Sequence, residues 1–284
     1  MNLLAKKSRW RRVLRIASAS LLAITLAWVV LIVTTKPSNT RDWSPDQERL
    51  ASAEVTGDQL VLRNVRNARY RTTTDFDVYW DDRRLDLSAL RSVWFVVEPF
   101  SDWRGPAHTF LSFGFADGQY LAVSAEIRKE RGESFSPLKG ILRQYELVYV
   151  LGDERDLIGL RANHRHDAVY LYPVRTTPER MRELLLSMLA RVNQLAAEPE
   201  FYNTVFNNCT SNIVEHIEYI APGRVPLSFS TVLPAYADDF AYDLGLIATD
   251  LPKDRYRAAH QINELAAEHA DTTGFSAGIR EGRR

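Results

Sequence analysis

Hydrophobic positions along the chain change period several times, and each change predicts an element. Residues 16–33 (IASASLLAITLAWVVLIV) are uncharged, close to the ~20 residues that a helix needs to cross a bilayer core, so a transmembrane helix is expected. Ser18, Ser20 and Thr25 are tolerable there because a helical hydroxyl can bond back to the preceding turn, and Trp10 and Trp28 suit the interfaces. Residues 44–51 (SPDQERLA) predict a short helix with Ser44 as N-cap and Pro45 at its first position. Residues 75–80 (DFDVYW) alternate as a strand does, and residues 92–97 (SVWFVV) form a continuous apolar run suited to a buried strand. Residues 107–115 (AHTFLSFGF) and 119–128 (QYLAVSAEIR) predict a hairpin through Ala116-Asp117-Gly118, a three-residue loop with glycine where a left-handed conformation is needed. That loop pairs Phe115 with Gln119, Phe110 with Ser124 and His108 with Glu126. The pleat then sorts Leu111, Phe113, Phe115, Leu121, Val123 and Ile127 onto a core face, and His108, Phe110, Ser112, Gly114, Tyr120, Ala122, Ser124 and Glu126 onto a more polar one. Further strands are expected at residues 144–151 and 168–174. Thr177 and Pro178 open a helix whose stripe of Met181, Leu184, Leu185, Met188, Leu189, Val192 and Leu195 has the period of a core-facing side. A second helix starts at or just before Cys209, with Ile213, Ile217 and Ile220 in phase, and ends near Pro222-Gly223. A last helix is expected over residues 254–269.

Composition bounds the class. The chain has 284 residues, 45% hydrophobic and 25% charged, which describes a folded protein of one large or two small domains. Its 36 basic and 36 acidic residues balance, but Lys6, Lys7, Arg9, Arg11, Arg12 and Arg15 precede the apolar stretch and no acidic residue appears before Asp42. Those six removed, the remainder is acidic by about six charges, which argues against a nucleic-acid binder. The positive-inside rule keeps the basic end in the cytoplasm and sends residues 36 onward outward, which in a bacterium is the periplasm. The competing reading is a cleaved signal peptide; the stretch is longer than a usual signal core, and Val33-Thr34-Thr35-Lys36-Pro37 offers no small-x-small site. The resulting organisation is a basic cytoplasmic segment (1–15), an anchor (16–34), a juxtamembrane segment (35–74), a main domain (75–245) and a C-terminal helix and tail (246–284).

Cys209 is the single cysteine, so no internal disulfide and no Cys-based zinc cluster is available within one chain. A free cysteine is often an inert buried residue, but Asn207, Asn208, Thr210, Ser211 and Asn212 make this surrounding polar, and a helix start lowers a thiol's pKa. A thiol nucleophile needs a base and an orienting group. His216 stands seven residues on, about 10.5 Å along a helix axis, too far to serve. His164 and His166 flank Arg165 in a polar loop and read as solvated or as a minor metal site, and His260 and His269 read as surface residues. His108 shares a strand face with Ser124 and Glu126, either of which would orient it. No His, Asp and Glu cluster has convincing ligand spacing, so no metal and no cofactor is expected.

His108-Thr109-Phe110-Leu111-Ser112-Phe113, Ser124-Ala125-Glu126-Ile127-Arg128, Gln144-Tyr145-Glu146-Leu147, Tyr170-Leu171-Tyr172-Pro173 and Tyr202-Asn203 through Asn208-Cys209-Thr210 occur in this order. In this the chain resembles the N-terminal periplasmic domain of the bacterial lipoprotein N-acyltransferase Lnb, over residues 75–216 with a weaker echo at 275–280. The resemblance implies a permuted papain-like (NlpC/P60-type) α+β domain, an antiparallel sheet packed on helices, with Cys209 as nucleophile, His108 as base and Glu126 or Ser124 as the third member. Unlike the acyltransferase, this chain has one N-terminal apolar segment and no further one, so thiol chemistry is better supported than a substrate. The expectation is a cysteine acyltransferase of the inner membrane, its oxyanion held by the Cys209 N–H with Asn208 or Tyr202, acting on a lipid or lipoprotein. The alternatives are a peptidoglycan amidase or endopeptidase and a non-catalytic envelope scaffold.

Overall fold

A computed structural model describes residues 3–101, 105–226 and 234–282. The chain divides into residues 1–38 and 39–284. In the first unit a single helix α1 (Leu3–Thr34) begins in the basic segment and not at its apolar edge. Arg9–Val30 is long and apolar enough to cross a membrane. Thr25 Oγ1 donates to the Leu21 carbonyl at 2.9 Å and Thr34 Oγ1 to Val30 at 2.8 Å, so these hydroxyls spend their polarity on the preceding turn.

Among its described residues the second unit has ten strands: β1 (Ser52–Thr56), β2 (Gln59–Arg66), β3 (Arg69–Tyr70), β4 (Phe76–Asp77), β5 (Trp80–Asp86), β6 (Leu90–Pro99), β7 (Ala107–Phe115), β8 (Tyr120–Arg128), β9 (Glu146–Gly152) and β10 (Tyr170–Pro173). Eight of them form one sheet in the order β1-β2-β9-β8-β7-β6-β10, with β5 also on β2, and β3 pairs with β4 apart from it. Its ladders are antiparallel except at one β2–β9 pair, Arg66 with Gly152. The β7–β8 register places Leu111 opposite Val123, Ser112 opposite Ala122 and Gly114 opposite Tyr120, as the loop chemistry predicts. Gly118 sits at φ +83, and the Phe115 N–H donates to the Gln119 carbonyl at 2.9 Å.

Helices cover both faces: α2 (Pro137–Ile141), α3 (Glu154–Gly159), α4 (Pro178–Ala197), α5 (Cys209–Ile220), α6 (Ala237–Asp243), α7 (Tyr256–Ala259), α8 (Asn263–Glu268) and α9 (Phe275–Gly278). The stripe of α4 is buried at all seven predicted positions and packs with Leu111, Phe113, Phe115, Leu121 and Val123. The opposite face, expected to be polar, is a second core. Phe110 and Ala122 pack there against Leu157 and Ile158 of α3, Ala266 of α8 and Phe275 of α9, and every residue of β7 is buried. Its polar members are consumed internally: Ser112 donates to Glu154, which also takes Arg280 Nη1 at 2.8 Å.

Four local expectations are corrected. Residues 44–51 form only a 3-10 turn, Pro45–Gln47, because Arg128 takes the Gln47 and Glu48 carbonyls at 3.0 Å each, and Ser44 Oγ bonds Asp46 instead of capping an N–H. Residues 75–80 are split between β4 and the start of β5. The segment 35–74 supplies β1 and β2 to the main sheet, so no structural boundary falls at residue 75. The last helix is broken into α7 and α8 because residues 260–262 join the edge of β10: Leu171 N–H donates to the His260 carbonyl and Ile262 N–H to Val169, both at 2.9 Å. His260, expected on the surface, is therefore buried, with Nδ1 on the Tyr256 carbonyl.

Candidate active site

Cys209 is the first residue of α5, and the sequence around it explains its fixed position. Asn208 caps the helix: its side chain accepts from the Ser211 N–H at 3.0 Å, while Ser211 Oγ accepts from the Asn208 N–H at 2.8 Å, a reciprocal capping box. The hydroxyls of Thr109 on β7 and Thr210 on α5 lie 3.0 Å apart and pin the helix to the strand. The sulfur is buried, 3.9 Å from the Ala107 carbonyl, with Thr109 and Thr210 as its other polar neighbours. It thus lies against the backbone on either side of His108.

His108 is held from behind. Its Nε2 lies 2.7 Å from Ser124 Oγ, and Ser124 donates to Glu126 Oε1 at 2.9 Å. A serine hydroxyl has one proton; spent on Glu126, it leaves the oxygen as acceptor, so Nε2 carries the imidazole hydrogen and Nδ1 the lone pair. Glu126 Oε1 is itself 3.7 Å from Nε2. The structure therefore places Ser124 in contact with the imidazole and Glu126 one step beyond. The His108 ring also stacks on Phe110, centroids 5.6 Å apart.

Arg161 organises this network. It sits in a π-helical turn that continues α3 (Leu160–Arg165), donates to Glu126 at 3.0 Å and to Glu98 at 2.6 Å, and ties itself to the Leu157 carbonyl at 2.7 Å. Arg165 reaches the other oxygen of Glu98 at 3.2 Å. Glu98 stands directly opposite His108 in the β6–β7 ladder, a register the sequence did not reveal.

Electrostatics follow from burial and this pair of arginines. Burial pushes the His108 imidazole down to about 3, with Arg161 acting in the same direction and Glu126 against it. Burial alone would raise Glu126; Arg161, then Arg66 and His108, bring it well below the usual carboxylate range. Glu98 is raised to about 7 by burial, against the pull of Arg161 and Arg165. For Cys209 burial outweighs the hydrogen bonds from Thr109 and Thr210 and pushes the thiol up. A thiol depressed by the helix start was the expectation; burial instead raises it and lowers the imidazole, which favours a neutral thiol and a neutral imidazole at rest.

Cys209, His108 and Glu126 open on one cleft of about 960 Å³, also lined by Arg161, Tyr202 and Asn208. Ser124 is fully buried behind His108. Asn208 is less available than expected as an oxyanion donor: its amide donates to the Thr204 carbonyl at 2.9 Å and Val205 at 3.5 Å. Tyr202 is close enough to Cys209 that burial and the sulfur together raise its phenol, and its hydroxyl makes no hydrogen bond among the described residues. Among the described residues no group of three or more His, Cys, Asp and Glu side chains converges as metal ligands. His164, read as solvated or a minor metal site, is half-buried with its ring 5.9 Å from that of Tyr70.

Residues 76–235 match the sequence family described as the Lnb N-terminal periplasmic domain. The chain belongs to this family. No curated protein and no solved structure matches it. Membership makes it an envelope-related protein with a periplasmic domain, and α1 is consistent with membrane anchoring. The Lnb match contains every residue of the His108, Ser124, Glu126, Arg161 and Cys209 arrangement but stops short of β1 to β3 and α6 to α9.

Proposed function

We propose that this Lnb-family protein is a cysteine acyltransferase, anchored in the bacterial inner membrane with its N-terminus cytoplasmic and its catalytic domain periplasmic. The fold is taken as a permuted papain-like domain, the histidine strand preceding the cysteine helix. The observation that carries the reading is that His108, its Nε2 committed to Ser124, opens on the same cleft as Cys209.

In the proposed reaction, His108 Nδ1 takes the thiol proton as Sγ attacks an ester carbonyl. The backbone N–H of Cys209 at the helix start, with the Tyr202 hydroxyl, receives the oxyanion. Collapse breaks the C–O bond, the leaving alkoxide takes the proton back from the imidazolium, and an acyl-thioester remains on Cys209. An amine then attacks the thioester carbonyl, His108 accepts the amine proton and returns it to the departing sulfur. Glu126, kept ionised by Arg161, stabilises the transient imidazolium through Ser124. The favoured donor is a phospholipid acyl chain and the favoured acceptor a lipoprotein amino terminus: Phe100 and Phe135, both partly exposed with ring centroids 6.0 Å apart, give the cleft an apolar rim. The ionisable lining, with Asp46, Arg66, Lys129, Glu133 and Asp167, favours a second reading, an amidase or endopeptidase acting on a peptidoglycan peptide with the same residues.

The test is to supply the purified full chain with phospholipid plus a lipopeptide amine, and separately with cell-wall peptides. The expected outcome is lipid-dependent acylation of the amine, lowered at least about a thousandfold by Cys209→Ala or His108→Ala. Turnover of cell-wall peptides alone selects the second reading. Indifference of both reactions and of any cellular phenotype to Cys209→Ala leaves an envelope scaffold.

A further inference from the structure

A second cavity, of about 310 Å³, lies on the core face of the sheet beneath α5 and α6. Its walls are apolar: Val93 and Phe95 of β6, Leu111 of β7, Ile213 and Ile217 of α5 and Phe240 of α6. Thr210 faces this cavity while its neighbour Cys209 faces the cleft, so the first turn of α5 touches both. Packed interiors rarely leave voids of this size, and the volume falls in the range of small-molecule sites.

The charged part of the described lining has one sign. Arg175, Arg180 and Arg224 all contribute, all three are exposed, and no Asp or Glu is among the described lining residues. None of the three has a carboxylate partner among the described residues; Arg224 spends one donor on the Leu244 carbonyl at 2.8 Å. Most arginines that line the catalytic cleft are bonded to acids, as Arg161 is to Glu98 and Glu126. An apolar cavity whose charged lining, among the described residues, consists of arginines without carboxylate partners has the polarity of an amphiphile's complement, because arginine's planar donors match carboxylate and phosphate oxygens.

We infer that this cavity is a second binding site, separate from the catalytic cleft, for a single alkyl chain ending in an anionic head, with the chain along Phe95, Ile213, Ile217 and Phe240 and the head on Arg175, Arg180 and Arg224. The site needs no chemistry at Cys209 and stands or falls independently of the proposed reaction.

The experiment uses the full chain in zwitterionic lipid nanodiscs, photolabelled with a diazirine-bearing dodecanoate, with adducts mapped by peptide mass spectrometry. The expected adducts fall on α5 and α6, persist in Cys209→Ser, and are competed by dodecanoate but not by dodecyltrimethylammonium. A dodecyl phosphate competitor distinguishes a phosphate head from a carboxylate one. Replacing the three exposed arginines together by glutamine weakens competition about tenfold, and Ala241→Phe, which narrows the cavity, abolishes the α5 and α6 adducts. Adducts only elsewhere, equal competition by the cationic amphiphile, or indifference to the arginine replacements overturns the inference. Loss of adducts in Cys209→Ser assigns them to the catalytic cleft and likewise overturns it.

Discussion

The depressed imidazole of His108 is the most exposed consequence of the site's design at the scale of single residues. Folded, it titrates near 3 against an ordinary 6.5. As pH falls below 6.5 the unfolded chain takes up this proton while the folded chain does not, so the stability contribution is full above 6.5 and is lost progressively down to about 3. Thermal melting of the wild type is therefore expected to fall more steeply between pH 6.5 and 4 than that of His108→Gln; parallel profiles would place His108 in water. For Cys209 the expected outcome is slow alkylation of the resting protein, with a midpoint above the ordinary 9.0, since desolvation governs the thiol; a midpoint well below that value would mean a preformed thiolate. Strand alternation in the sequence brought His108, Ser124 and Glu126 onto one face, and helix capping located Cys209. Arg161 and Glu98 were illegible, because their meaning depends on a β6–β7 register and a π-helical turn that no local pattern encodes.

At the scale of elements, the start of α5 and the turn after α3 hold the site. Asn208→Ala removes the cap and is expected to cost about 1 kcal/mol, read from urea denaturation, with a larger effect on reaction rate because the sulfur's position depends on that turn. Arg161→Met leaves buried Glu126 without its bonded arginine and Glu98 with Arg165 alone, and is expected to cost about 3–5 kcal/mol; adding Glu98→Gln should recover part of the loss. No recovery would assign the cost to packing on Phe110, where the guanidinium lies 5.2 Å from the ring centroid. Elements whose partners are local, such as α4 with its stripe and the β7–β8 hairpin with its glycine turn, were readable from period and loop chemistry. Residues 254–269 were not: helical spacing was present, but the sheet edge at β10 competed for the same backbone groups and won.

The whole molecule is organised around a sheet wider than the family match. Because β1 and β2 belong to it, a chain starting at Asn39 is expected to unfold in one cooperative transition, whereas one starting at Asp75 exposes Leu62-facing core and fails to fold; the two denaturation curves check this directly. The sequence placed the boundary at residue 75 because the polar composition of residues 36–71 hides strands whose buried positions, Leu60, Leu62 and Val65, are few and interrupted. The proposed acyl-thioester joins these scales, since it would form on a buried thiol that shares one cleft with a buried imidazole. The most direct measurement is intact and peptide mass spectrometry of the full chain after exposure to phospholipid without an amine acceptor. One hydroxylamine-labile acyl group is expected on the peptide containing Cys209, absent in Cys209→Ala and strongly delayed in His108→Ala. An unmodified Cys209, or an adduct that forms equally fast without His108, would contradict it.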